Sequence, residues 1–421
     1  MRVCFLTHYF PPEVGAPQTR IELLARTLAA RGATVTVHTG FPHYPDGRIR
    51  APYRNRPWLV EQRDGFTIVR SAVYPTANQG FARRLANHAS LALSALATAP
   101  VTGRLDAIVA ETPPLFTAAA GALYARFKRA ACVVNVADRW PATAVELGAL
   151  TDRRAIAAAS ALERWTYRQA DVLVAPTRGI VTALEQRPEA AGRTRRSWPV
   201  VDVERFDPTP PQRAGGSGAP LELLYAGTIG LAQGLDVLVQ ATRLAGTAVV
   251  RTTIAGDGAD AARIRTLIAE QRIANVRMLG AVDAQRVPEL YADADVAVVL
   301  LRDLPIFRGA LPTKTIEAMA AGRPVIVAAR GEAAELVTSE GAGIAVSPGE
   351  PQALAEALRE LQARPEVREQ LGAAGRRHAE AQFGAGPACD AWTRLLSEAV
   401  SLQRTGARRS GRAAAARHQA D

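Results

Sequence analysis

A rhythm that runs twice constrains this chain more than any other feature. Over the first half, short apolar runs of β type alternate with helical stretches: Val3–Thr7, Thr34–Thr39, Thr67–Arg70, Ala107–Ala110, Cys132–Ala137 and Val172–Ala175. In Thr19–Arg31, between two of these runs, Ile21, Leu24, Ala25 and Leu28 recur at i, i+3, i+4 and i+7, the spacing of one helix face. Apolar strands separated by helices predict a parallel sheet covered on both sides. The rhythm breaks at Asp207–Pro220, DPTPPQRAGGSGAP, which is rich in Pro and Gly and nearly free of apolar residues. It then resumes with Leu221–Ala226, Val249–Ala255, Val276–Leu279, Val296–Leu301, Val325–Ala328 and Ile344–Val346, followed by helical Pro351–Ala363 and Pro365–Gln382.

The expected fold is therefore α/β, with two doubly wound Rossmann-like domains facing a central cleft. The predicted divisions are a first domain over 1–205, a linker over 206–220, a second domain over 221–384, a helix over 385–403 and a basic disordered tail over 404–421. A chain of 421 residues is long enough for two cores. In open α/β sheets ligands lie at the carboxyl ends of the strands, so each domain is expected to serve one substrate.

The formal net charge is +11, which points to an anionic partner. Part of the excess is a tail, since Arg404, Arg408, Arg409, Arg412 and Arg417 crowd the last residues. No recognition helix or interleaving of aromatic and basic residues accompanies the charge, so nucleic acid is not the expected partner. Cys4, Cys132 and Cys389 lie far apart and form no CxxC pattern, which predicts buried thiols and no metal site. The opening residues run directly into a strand without signal-peptide organisation, and no long uncharged apolar run is present. The expectation is a cytoplasmic protein, attached if at all to the inner membrane face. The stretch Gln79–Ala99 carries Arg83 and Arg84 ahead of a long uncharged helix; it reads either as a membrane-facing helix with arginines on lipid phosphates or as a core helix. Lysine is nearly absent: Lys128 and Lys314 are the two lysines of the chain, so a position that keeps one is worth testing.

Several segments at strand ends carry candidate chemistry. After the first strand, HYFPPEVGAPQTR places Gly15 before a helix, where free N–H groups can approach an anion, and Arg20 on the first turn beside it. The second domain opens with the turn AGTIGLAQGL, in which Gly227, Thr228, Gly230, Gln233 and Gly234 suit a diphosphate. The next turn, AGDGAD, offers Gly256 and Gly258 to a nucleoside, or needs them for its own shape. The richest segment, LLRDLPIFRGALPTKTIEAMAAGRPVIV, carries Arg302, Arg308, Gly309, Lys314 and Glu317 around a helix expected over Thr315–Ala321, with Thr313 as its cap. Cations there suit phosphates, and a carboxylate at Glu317 suits ribose hydroxyls. Asp138, at the end of the strand Cys132–Ala137, reads as a base, as a sugar ligand or as a helix cap.

With these strings assembled, the chain resembles bacterial family-4 retaining glycosyltransferases of the GT-B fold, and within them the colanic-acid and O-antigen branch that includes fucosamine-transferase-like proteins. The carrying strings are YFPPEVGAPQTRIELLARTLAARG, TGFPHYPDGRI, DRWP, GTIGLAQGL, AGDGAD and LPTKTIEAMAAGRPVI, spread from Tyr9 to about Leu396. The resemblance implies transfer of a sugar from a UDP- or GDP-sugar to a lipid-linked or oligosaccharide acceptor, without a cofactor or a metal, the donor diphosphate helping to accept the acceptor's proton. It implies that Gly15, Gly227, Thr228, Gln233, Gly234, Gly256, Arg308, Gly309, Lys314 and Glu317 bind the donor. Asp138 would stand near the transferred sugar, Arg20, Arg83 and Arg84 would face the acceptor, and the last helix would return to the first domain. The chain departs from the family at two places. Gly309 stands where many members have the first glutamate of Glu-x7-Glu, and Thr228 and Gln233 stand where many have Arg and Lys. Two other readings share parts of this pattern: a nucleotide-sugar 2-epimerase of the same architecture, and a non-catalytic partner that binds nucleotide or lipid.

Overall fold

The computed structural model describes residues 1–13, 15–44, 46–77, 80–209 and 219–405. Most of the expected linker, Gln79 and the basic tail with Arg408, Arg409, Arg412 and Arg417 lie outside the described residues. The chain divides into two compact units, Met1–Val200 together with the segment from Ala385, and Val201–Gly384.

The first unit runs β1 (Arg2–Leu6), α1 (Ala16–Ala30), β2 (Thr34–Gly40), β3 (Trp58–Arg63), β4 (Phe66–Ser71), α2 (Phe81–Ala97), β5 (Ala107–Thr112) and α3 (Leu115–Lys128). It continues with β6 (Ala131–Val136), α4 (Ala142–Glu146), α5 (Arg153–Gln169), β7 (Val172–Ala175), α6 (Arg178–Glu185) and β8 (Thr194–Arg196). The sheet order is β3-β4-β2-β1-β5-β6-β7-β8. Every pairing is parallel except β3 with β4, where Trp58 faces Ser71 and Arg63 faces Phe66. The central strands β5 and β6 are buried along their whole length, because helices cover both faces and every side chain points into a core. The edge strand β3 instead alternates exposed and half-buried residues. It escapes a search for apolar runs for that reason.

The second unit runs β9 (Leu221–Ala226), α7 (Leu235–Ala245), β10 (Val250–Ala255), α8 (Ala261–Glu270), β11 (Val276–Gly280), α9 (Val287–Ala292) and β12 (Val296–Leu300). Then come α10 (Thr313–Ala320), β13 (Val325–Ala328), α11 (Glu332–Ser339), β14 (Gly343–Val346), α12 (Pro351–Ala363) and α13 (Pro365–Gln382). Its sheet is all parallel, in the order β11-β10-β9-β12-β13-β14. Both sheets reverse direction of growth beside their first strand, between β1 and β5 and between β9 and β12. Crevices of this kind, at the carboxyl ends of strands, are where doubly wound sheets bind ligands.

The last helix, α14 (Ala385–Thr405), belongs to the first unit. Ala388, Cys389, Trp392, Leu395, Leu396 and Ala399 join the core built from Val3, Phe5, Leu24, Val109 and Val133. The Trp392 ring meets Phe5 edge-on, 6.1 Å between centroids, and Arg195 pairs with Glu398 at 2.6 Å. All three cysteines are buried free thiols.

Candidate active site

In the second unit the loops after β9 and β12 flank the reversal of the sheet and touch each other. The backbone N–H of Arg302 donates to the Ala232 carbonyl at 2.9 Å. The β9 loop is a tight turn: Gly230 N–H donates to Gln233 Oε1 at 3.1 Å, and Gly234, left-handed at φ 60°, leads into α7. Gly227 and Thr228 are exposed at its start. A β-carbon at Gly227 would lie 3.0 Å from Lys314 Nζ, so the glycine leaves room for the amine directly over the backbone of the turn.

Lys314 sits on the first turn of α10. That helix starts at Thr313, after Pro312, and has no side-chain cap. The expected start at Thr315 with Thr313 as cap is thus corrected: Pro312 fixes the approach and Thr313 is already helical. The Lys314 amine donates to Tyr225 Oη at 2.6 Å and lies 3.8 Å from the centre of that ring. The Tyr225 hydroxyl in turn donates to the Thr228 carbonyl at 2.5 Å. Burial holds the Lys314 ammonium down to about pH 7, although Glu317 nearby works the other way. Glu317 stands one turn along α10. Burial raises its carboxyl, against the pull of Lys314 and Arg205. Among the described residues no side chain hydrogen-bonds its carboxylate. Arg302 and Arg308 are exposed on the loop before α10, and Gly309 closes the short turn Pro305–Gly309.

Gly256 has a plainer reason to be glycine. Its φ is 142°, and a β-carbon there would lie 1.9 Å from the Gly227 carbonyl oxygen. The turn after β10 is pressed against the turn after β9, and Gly258 does the same against Ile229. These glycines shape the Gly227 turn from behind.

In the first unit the expected residues scatter around the ends of β1, β5 and β6. Gly15 precedes α1, where a β-carbon would meet Gln18 Oε1 at 2.5 Å. Arg20 pairs with Glu111 at the end of β5, and Glu111 also accepts from Asn135 Nδ2 at 2.7 Å. An arginine so engaged braces α1 against the sheet. Asp138 follows β6; its Oδ1 accepts from Arg139 N–H and from Thr143 Oγ1, both at 2.7 Å, so the carboxylate caps the turn into α4. Arg83 and Arg84 are exposed on the first turn of α2.

One polar cluster here is invisible to motif reading. The Asn87 side chain joins His8 Nε2 at 2.7 Å and His43 Nε2 at 2.8 Å, and His88 stacks edge-on to His8. Glu13 accepts from the N–H groups of Phe10, His43 and Tyr44. Burial pushes His8 well below the usual imidazole range and His88 down to about 4. The members come from three separate stretches, 8–13, 43–44 and 87–88, and only the fold brings them together. Among the described residues no group of His, Cys, Asp or Glu is placed to hold a metal ion.

Two family models match the chain, one to each half. Residues 15–197 match the glycosyl transferase 4-like domain, and residues 212–378 match glycosyl transferases group 1. The chain is a family-4 glycosyltransferase of the GT-B fold. It is 24% identical over 353 residues to the Escherichia coli (strain K12) protein called colanic acid biosynthesis glycosyl transferase WcaI, covering 79% of this chain and 85% of that one. That likeness runs through both halves and places the glycosyltransferase on the colanic-acid branch. It is also 32% identical over 236 residues to a D-inositol 3-phosphate glycosyltransferase of Geodermatophilus obscurus, about half of each chain. Among solved structures, Anabaena HepE in complex with UDP-glucose superposes with a TM-score of 0.69 at 18% identity, over 94% of this chain and 99% of that one. Sucrose-phosphate synthase from Thermosynechococcus elongatus reaches 0.74 at 20% identity, over 94% and 98%. At such identities these structures speak for the fold alone.

Proposed function

We propose that this glycosyltransferase moves a hexosyl or N-acetylhexosaminyl unit, with retention at the anomeric carbon, from a UDP- or GDP-sugar to a lipid-linked or oligosaccharide acceptor in cell-surface glycan synthesis. The observation that carries the reading is the meeting of Lys314 Nζ with the Gly227 turn at the reversal point of the second sheet. An amine over a glycine turn that leads into the start of α7 is a cradle for a diphosphate. HepE, of the same fold, is described in complex with UDP and with UDP-glucose, which supports a nucleotide-sugar here. In this reading Gly227, Thr228, Gln233 and Gly234 line the diphosphate, Lys314 neutralises it, Glu317 accepts from ribose hydroxyls, and Arg308 with Gly309 takes the sugar side. Gly256 supports the turn. In the first unit Gly15 is assigned to the donor, Arg20, Arg83 and Arg84 to the acceptor, and Asp138 to catalysis. Lys314 and the arginines carry the phosphate charge, so no metal or cofactor takes part.

A thermal-shift screen against UDP- and GDP-sugars tests this first, because a ligand that binds the folded state alone raises the melting temperature. Lys314→Ala abolishes both the shift and transfer; unchanged nucleotide affinity would remove the site from the reading. Full turnover in EDTA checks metal independence, and the anomeric configuration of the product checks retention. Release of a free epimer without acceptor favours the epimerase instead.

Attachment to the cytoplasmic face of the membrane has its own support. No helix among the described residues is long and apolar enough to cross a membrane. Leu93 on α2 and Leu123 and Phe127 on α3 are 71%, 44% and 64% exposed, on two helices packed together. Arg83, Arg84 and Arg126 are exposed on the same helices. Exposed apolar side chains and exposed arginines on one pair of packed helices fit an anionic lipid surface. Co-sedimentation with vesicles containing phosphatidylglycerol, lost in Arg83→Glu/Arg84→Glu and at high salt, is the expected result.

A further inference from the structure

The Lys314 amine has one hydrogen-bond partner among the described residues, the Tyr225 hydroxyl, and that hydroxyl is spoken for on its other side. Its proton goes to the Thr228 carbonyl, so the oxygen can only accept from Lys314. Tyr225 is fully buried at the end of β9, its ring beneath the amine. One side chain therefore joins the lysine of α10 to the backbone of the glycine turn. We propose that Tyr225 is a positioning residue for Lys314: its hydroxyl holds the amine over Gly227, so that the remaining N–H groups of the ammonium meet a phosphate oxygen entering the turn. This rests on the nucleotide reading of the site and deepens it.

The surroundings set the proton on the amine. Glu317 on α10, Arg205 near that carboxylate, Tyr225 on β9 and Tyr291 on α9 are the titratable groups that face the amine or its carboxylate neighbour. Tyr291 Oη donates to the Lys314 carbonyl at 3.3 Å and fixes the helix turn, not the amine. Burial keeps the amine near neutrality at about pH 7. An anionic ligand restores the ammonium and so draws up to one proton from solvent as the pH rises above that value. Above that pH, ligand affinity falls about tenfold per pH unit, as linkage requires.

The test is UDP binding by calorimetry from pH 6.5 to 9, on the wild type, Tyr225→Phe, Lys314→Met and the double variant, with folding checked by thermal melts. The wild type is expected to take up a proton on binding. Y225F is expected to bind UDP about tenfold more weakly, with the pH midpoint moved down because the ammonium loses its acceptor. In the presence of K314M the Tyr225 change is expected to cost nothing further. Equal losses with and without K314M, or no loss in Y225F, overturn the inference while the nucleotide reading stands. No loss of UDP or GDP affinity in K314M overturns both. A measurement that needs no variant uses the two lysines of the chain. Carbon-13 at their ε-carbons gives two signals, and that of Lys314 is expected to titrate near pH 7 and to move well upward with UDP. A signal in the ordinary lysine range with and without UDP overturns the proposal.

Discussion

At Lys314 the chemistry turns on the shape of one cation. Its amine reaches past the missing side chain of Gly227 to a single hydroxyl. A guanidinium is wider, planar and always charged, so it cannot occupy that position. Lys314→Arg is expected to lose at least tenfold in UDP affinity despite conserving charge, as measured by calorimetry; full activity would show that charge alone is needed. Asp138 separates two roles. Asp138→Asn keeps an oxygen for Arg139 N–H and Thr143, so the melting temperature is expected to hold within a few degrees. On the catalytic role proposed for Asp138, turnover is expected to fall steeply; unchanged turnover leaves Asp138 as a cap. Lys314 and Glu317 stood out in the sequence because charged groups are rare inside an apolar run. Tyr225 did not, since a tyrosine ending a buried strand looks like core until its hydroxyl partners are known. The polar cluster of His8, His43, Asn87 and His88 was equally hidden, because nothing local links residues so far apart.

At the level of elements, the buried parallel strands were legible almost to the residue, since a strand covered on both faces must be apolar throughout. The edge strand β3 was not, because exposed and half-buried residues alternate along it and Glu61, Gln62 and Arg63 break the apolar run. The start of α10 differs from the expected Thr315 because Thr313 is already helical, with Pro312 at the N-cap position and no side-chain cap. Contact between turns was also out of reach: Gly256 reads as a ligand glycine until the Gly227 carbonyl is seen against it. Gly256→Ala is expected to destabilise the second unit by about 2 kcal/mol or more, through the clash and the positive φ, and to weaken nucleotide binding by displacing the turn. Urea unfolding with and without UDP separates the two effects. Trp392→Ala, which empties the contact of α14 with Phe5, is expected to cost about 3–5 kcal/mol, read in the same experiment.

For the whole molecule, three imidazoles set the response to acid. Burial lowers His8 well below its ordinary range, His38 to about 3 and His88 to about 4. The unfolded chain binds these protons from about pH 6.5 downward while the folded chain refuses them, so stability is lost as pH falls below that point. Each proton is worth about 1.4 kcal/mol per pH unit. The raised carboxyls of Glu13 and Glu317 act in the opposite sense and soften the loss only nearer their own range. The melting temperature is expected to fall between pH 6.5 and 5, and to rise above pH 7, where the unfolded chain keeps the Lys314 proton that the folded chain gives up. A flat profile between pH 6.5 and 5 would mean that the imidazoles are open to water. The return of α14 to the first unit has a consequence for synthesis. The second unit is one continuous stretch and can fold as it leaves the ribosome. The first unit cannot finish: the surface of Val3, Phe5 and Val109 waits for Trp392 and Leu396 until the last helix emerges. During translation, then, the half made first is the half completed last, its apolar face uncovered until the final helix emerges.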